Sequence, residues 1–160
     1  MAIYEFNITF LPYKNFNKKF KLYMPLYLWD YGNGTELDMY CGYNTDYDYW
    51  KGYNLDNLEN ILKQEFIIQD EPWSEKISYY GYEKGIRIEI DHYCINDEKN
   101  ISMGINVKKI NYIFIEKILN IFSTFDMIIV IADTGKIISL DYNNFIKILH
   151  NSKRYKRFSN

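Results

Sequence analysis

Asp91, His92 and Cys94 put a carboxylate, an imidazole and a thiol within four residues, the side chains that ligate zinc or arm a cysteine nucleophile. On a strand His92 and Cys94 point to one face. A zinc site takes three or four protein ligands, however, and the other candidates, Cys41 and His150, stand at no motif spacing. Residues two apart on a strand also rarely meet side chain to side chain, as a nucleophile and its base must. The expectation is a small buried cysteine beside a half-exposed histidine, with no metal and no catalytic pair. Asp46 and Asp48 offer paired carboxylates for acid and base work or for a cation, yet the DYD sequence lacks the further oxygen ligands and glycine spacing of a calcium loop. Gly135 and Lys136 follow Asp133 and Thr134 at hairpin spacing, not at the spacing of a phosphate-binding loop. None of the serines sits in a nucleophile elbow. The chain is expected to be non-catalytic and to need no cofactor.

The aromatic residues carry a stronger signal. Tyr40 to Tyr53 reads YCGYNTDYDYWKGY, five tyrosines and a tryptophan among two aspartates. From Asp30 to Asp70 nine carboxylates face only Lys51 and Lys63, a local charge of −7 in a chain whose total is −2. Stiff aromatic side chains among fixed negative charges suit a surface that binds a basic protein. The expected contact residues are Tyr43, Asp46, Tyr47, Asp48, Tyr49, Trp50 and Tyr53. Tyrosine-rich surfaces also stack on sugars and bases; the carboxylates repel nucleic acid but not carbohydrate, so a small-molecule or carbohydrate platform is the alternative. For any single ring, Trp50 included, packing into the core competes with both readings.

The 160 residues fit one domain, 1–160, and a chain of this size buries roughly two-thirds of its unfolded surface. The 17 Tyr and 10 Phe exceed ordinary usage, and the many Asn, Ile, Lys and Tyr fit an AT-rich genome, which accounts for part of that excess. No apolar run is long enough to span a membrane, and the first ten residues lack a basic segment followed by a long apolar one, so a cytoplasmic chain with reduced Cys41 and Cys94 is expected. A pI near 5.7 argues against general nucleic-acid binding; Lys153 to Arg157, KRYKR, is the one basic cluster.

Hydrophobic period then places the elements. Ile77 to Tyr82 and Ile86 to Tyr93 predict a hairpin, with Ile86, Ile88 and Ile90 alternating against Arg87, Glu89 and Asp91. Ile101 to Val107 predicts a third strand, and Asn111 caps a helix whose Ile115, Ile118, Leu119 and Phe122 share a face. The MIIVI run predicts a buried strand turning at Asp133 to Lys136 into Ile137 to Leu140, and Asp141 caps a last helix through Phe145, Ile148 and Leu149. Towards the N-terminus, Ile3 to Leu11 predicts a half-buried strand and Phe20 to Trp29 an edge strand interrupted by Pro25. Glu36 to Tyr43 follows a glycine turn, and Leu55, Leu58, Ile61, Leu62 and Phe66 mark a helix with Asp56 and Glu59 at capping-box spacing. The fold class is α+β, an antiparallel or mixed sheet with about three helices packed on it.

Three segments, ISMGINVKKINYIFIEKILNIFSTF, DMIIVIADTGKIISLD and YNNFIKILHNSKRYKRF, together resemble the C-terminal part of bacterial polymorphic-toxin immunity proteins, including those of contact-dependent growth inhibition. The resemblance implies a cytoplasmic, non-catalytic inhibitor that binds one cognate toxin domain, with no catalytic residues to transfer. An acidic aromatic surface fits a basic nuclease as that toxin, since opposite potentials speed association. The alternative is a small-molecule or carbohydrate-binding module in phage defence or counter-defence.

Overall fold

A computed structural model describes residues 4–19, 49–68, 77–81, 85–92 and 100–159. The elements run β1 (Glu5–Pro12), α1 (Tyr13–Lys19), α2 (Asp56–Glu65), β2 (Ile77–Tyr80), β3 (Ile86–Asp91), β4 (Asn100–Asn106), α3 (Tyr112–Ser123), β5 (Met127–Ile131), β6 (Ile137–Ser139), α4 (Tyr142–Asn151) and α5 (Lys153–Phe158). The six strands form one sheet in the order β2-β3-β4-β1-β5-β6, antiparallel at every pairing. This is the expected α+β class. No described helix is long and apolar enough to cross a membrane.

Register assigns the faces. Ile88, Met103, Ile8 and Ile131 lie opposite one another across β3, β4, β1 and β5, as do Ile90, Ile101, Phe10 and Ile129 one row along. Side chains in such rows share a face, and all eight are buried. Helices cover this face: the Phe10 ring stacks on Phe122 of α3 at 4.0 Å, and Phe6 meets Phe145 of α4 edge-on at 6.0 Å. Leu58 and Leu62 of α2 join the same core. The three helices predicted from periodicity are the three that pack here, while α1 and α5 are short additions.

β1 departs from expectation. It sits between β4 and β5 in the middle of the sheet, so Thr9 and Leu11 on its second face are buried along with the Phe6, Ile8 and Phe10 face. Alternation marks a half-buried strand only where one face meets water, and here that holds only for Glu5 and Asn7. Two predicted caps form as expected: Asn111 Oδ1 accepts from the Phe114 amide at 3.0 Å and Asp141 Oδ1 from the Asn144 amide at 2.7 Å. The capping box at Asp56 and Glu59 does not. Leu55 precedes α2 without a side-chain cap, and Asn54 Oδ1 instead accepts from the Asp56 amide at 2.7 Å. The predicted segments Phe20 to Trp29 and Glu36 to Tyr43 lie outside the described residues.

Because Phe10 joins the central strand to α3, Phe10→Ala is expected to lose about 3–5 kcal/mol of stability, the usual range for emptying a core aromatic site. Urea denaturation checks this, and a loss below about 1 kcal/mol would show that the stack does not hold the layers together.

Candidate interaction surface

The described end of the acidic aromatic segment is pinned to the core. Gly52, at φ +71°, allows a tight turn in which the Tyr53 amide bonds the Trp50 carbonyl at 2.9 Å. Asn15, buried on α1, donates its side-chain amide to the carbonyls of Tyr49 at 2.7 Å and Lys51 at 3.1 Å, clamping the chain on both sides of Trp50. Tyr49 stacks on Phe16 at 5.8 Å, and Trp50 meets Tyr53 edge-on at 5.4 Å. The Tyr53 hydroxyl donates to the Phe125 carbonyl at 2.5 Å, tying the segment to the end of α3.

This corrects part of the expected contact surface. Tyr49 and Trp50 are only 3% and 5% exposed, so their rings belong to the core. The physical reason is that a tyrosine or tryptophan buries a large apolar body readily when a neighbour can receive the backbone, as Asn15 does here. Tyr53 is half-buried. Tyr43, Asp46, Tyr47 and Asp48 lie outside the described residues, directly before the clamp.

The clamp leads into α2, which lies beside α3 in the opposite direction. Tyr53 meets Phe125 past the end of α3, while Phe66 meets Phe114 in its first turn edge-on at 4.8 Å. Lys117 pairs with Glu65 and lies over the Phe66 ring at 5.6 Å. Between the helices runs an open groove of about 520 Å³ lined by Ile61, Ile113, Lys117, Asn120 and Ile121. Ile113 is 82% exposed at one end of it, and Ile67 and Ile68, just past α2, are 63% and 44% exposed.

Two polar clusters escaped the sequence reading. Glu59 of α2, Ser78 and Tyr80 of β2, and His92 after β3 converge: His92 Nε2 lies 3.3 Å from Glu59 Oε1 and 3.5 Å from Ser78 Oγ. Both contacts use the same ring nitrogen. With its hydrogen on Nε2, the imidazole donates to the Glu59 carboxylate, and the set fastens α2 to the hairpin. Tyr80 is fully buried beside it. Burial raises its pKa, the Ser78 hydroxyl opposes the rise, and the Glu59 charge adds to it. His92 was read with Cys94, but its contacts come from hairpin register: Ser78 pairs with Ile90, which puts Ser78 and His92 on one face. Cys41 and Cys94 lie outside the described residues.

The second cluster lies on the other face of the sheet. Glu5 of β1 reaches across β4 towards Arg87 of β3, Oε2 to Nη2 3.6 Å, and Arg87 Nε lies 3.9 Å from Glu89. Gly104 makes the crossing possible, because a Cβ there would stand 2.9 Å from Asn7 Oδ1 and 3.5 Å from Glu5 Oε2. Burial raises the Glu89 pKa, more than Arg87 lowers it. Among the described residues no three His, Cys, Asp or Glu side chains gather where they could hold a metal ion.

The basic cluster forms most of α5. Arg154 binds Asp133 through two nitrogens at 2.7 and 3.1 Å, while Lys153, Lys156 and Arg157 are exposed. Comparison with protein-family models, with curated proteins and with solved structures finds no match to this chain.

Two predictions test these contacts. Burial, with the Asp126 charge adding to it, raises the Tyr53 pKa above 10.0, so the fold prefers the neutral phenol. Its contribution is complete below pH 10 and disappears as pH rises through the folded value. Tyr53→Phe should cost about 1 kcal/mol at pH 7 and make the alkaline decline in melting temperature shallower; an unchanged alkaline limb would contradict this. Glu89 also has a raised folded pKa, so its contribution is full below 4.5 and is lost as pH rises through the folded value. Glu89→Gln should therefore gain stability relative to the parent on going from pH 4 to pH 7, read by urea denaturation at both.

Proposed function

We propose that this chain is a cytoplasmic inhibitor of the immunity-protein kind, which binds one cognate toxin domain and blocks it without catalysing a reaction. A basic nuclease is the toxin class that its charge fits. The observation that carries the reading is the attachment of the acidic aromatic segment: from Asp30 to Tyr53 five carboxylates face only Lys51, and the segment is fastened at Tyr49 to Tyr53 by Asn15 and Tyr53 where it leads into α2. The carboxylates before the clamp then steer a basic surface towards α2 and α3. The carbohydrate alternative draws less support, because the Tyr49 and Trp50 ring faces are taken up by the core.

The test uses the C-terminal domain of the protein encoded immediately upstream, purified in a catalytically inactive form. Replacing both Asp46 and Asp48 with Lys should slow association by roughly ten-fold at low salt, with a smaller effect at high salt and a nearly unchanged melting temperature. Association unaffected at low salt would sink the proposal.

A further inference from the structure

Three isoleucines that face solvent, Ile67 and Ile68 just past α2 and Ile113 in the first turn of α3, flank the Phe66–Phe114 contact between the two helices. Ile113 is the extreme case, placed one residue after Tyr112 at the start of a well-capped helix whose inward face is already filled by Ile115, Ile118, Leu119 and Phe122. It lies opposite that face, so the helix puts it in solvent, and the core does not require an isoleucine there. Beside it the α2–α3 groove has apolar walls at Ile61, Ile113 and Ile121 and a polar rim at Glu116, Lys117 and Asn120. At about 520 Å³ it can accept one or two apolar side chains, not a whole helix.

The charges around the groove say what covers it. Lys117, the cation on its rim, is held by Glu65 and by the Phe66 ring. Lys63 lies 4.0 Å from Glu59 within α2. Asp56 and Glu116 are exposed carboxylates, and the acidic segment enters the same layer at the opposite end through Tyr53 and Phe125. The groove is thus a hydrophobic slot at the border of a negative field.

We infer that the α2–α3 groove receives an apolar side chain of the basic protein partner, flanked on that partner by Lys or Arg that meet the carboxylates of α2 and Glu116, so that Ile113 is the apolar anchor of that interface. This rests on the proposed inhibitor function and adds a location to it. Apolar contacts at the centre of such a patch slow release, whereas the carboxylates act on association. The two parts are separable by kinetics.

The experiment uses the same inactive upstream-encoded domain with the full chain. Ile113→Glu and the milder Ile113→Ala should both raise the dissociation rate, the former by at least about ten-fold, with association at low salt little changed and circular dichroism confirming the fold. A photo-reactive benzoylphenylalanine at position 113 should cross-link to the toxin domain, while one at exposed Lys147 on α4 should not. If the complex forms but release is unchanged and position 113 gives no cross-link, the groove is not the anchor and the inhibitor reading still stands. Cross-links confined to the chain itself, or to a second copy of it, overturn the inference in the same way. If no complex forms, both fail together.

Discussion

β1 is the first strand of the chain and occupies the centre of the sheet. Glu5 to Phe10 pair with Asn106 to Ile101 of β4, and Ile8 to Pro12 pair with Ile131 to Met127 of β5. Without it the β2-β3-β4 meander and the β5-β6 hairpin have no common edge, because no other strand among the described residues joins them. The strand is correspondingly buried on both sides over its second half, and its Phe10 ring stacks on Phe122 of α3. Its pairings with β4 and β5 are the contacts of longest sequence separation in the sheet, so they carry the largest loop-closure cost. The clamp on Trp50 depends on the same strand. α1 continues directly from β1 and presents Asn15 to the backbone of Tyr49 and Lys51, while the Tyr13 amide bonds the Asp126 carbonyl at 2.9 Å.

The two ends of the molecule's charge separate accordingly. Carboxylates dominate between Asp30 and Asp70, whereas from Asn100 onward nine Lys and Arg face four Asp and Glu. α5 holds its own charge differently. Arg154 is spent on Asp133, and Tyr155 packs against His150 at 4.5 Å, whose Nε2 lies 2.9 Å from the Tyr112 hydroxyl. That arrangement braces the start of α3, and with it the exposed Ile113, against α4.

Much of the fold could be read from residue order because its signals are local. The Ile86, Ile88, Ile90 alternation, the Asn111 and Asp141 caps and the MIIVI run each report on a few neighbouring residues, and each has its expected place. What could not be read is long-range. Nothing in YKNFNKK marks α1, a short helix held by tertiary bonds, and nothing near Ile3 to Leu11 says that the strand lies between β4 and β5. The same limit applies to the contact surface. Tyr49 and Trp50 sit in a polar, tyrosine-rich stretch, and their burial depends on Asn15 and Phe16, far away in sequence. The groove needs α2 and α3 side by side, which no spacing within either helix discloses. Ile113 did carry a signal: it falls off the inward stripe of its own helix.

The most direct test of the account is a hydrogen-exchange footprint of the full chain with and without the inactive upstream-encoded toxin domain. Complex formation should slow exchange from Tyr40 through α2 and in the first turns of α3, leaving α4 and α5 unchanged. Protection concentrated on α4 and α5, or a complex that protects neither α2 nor α3, would contradict it.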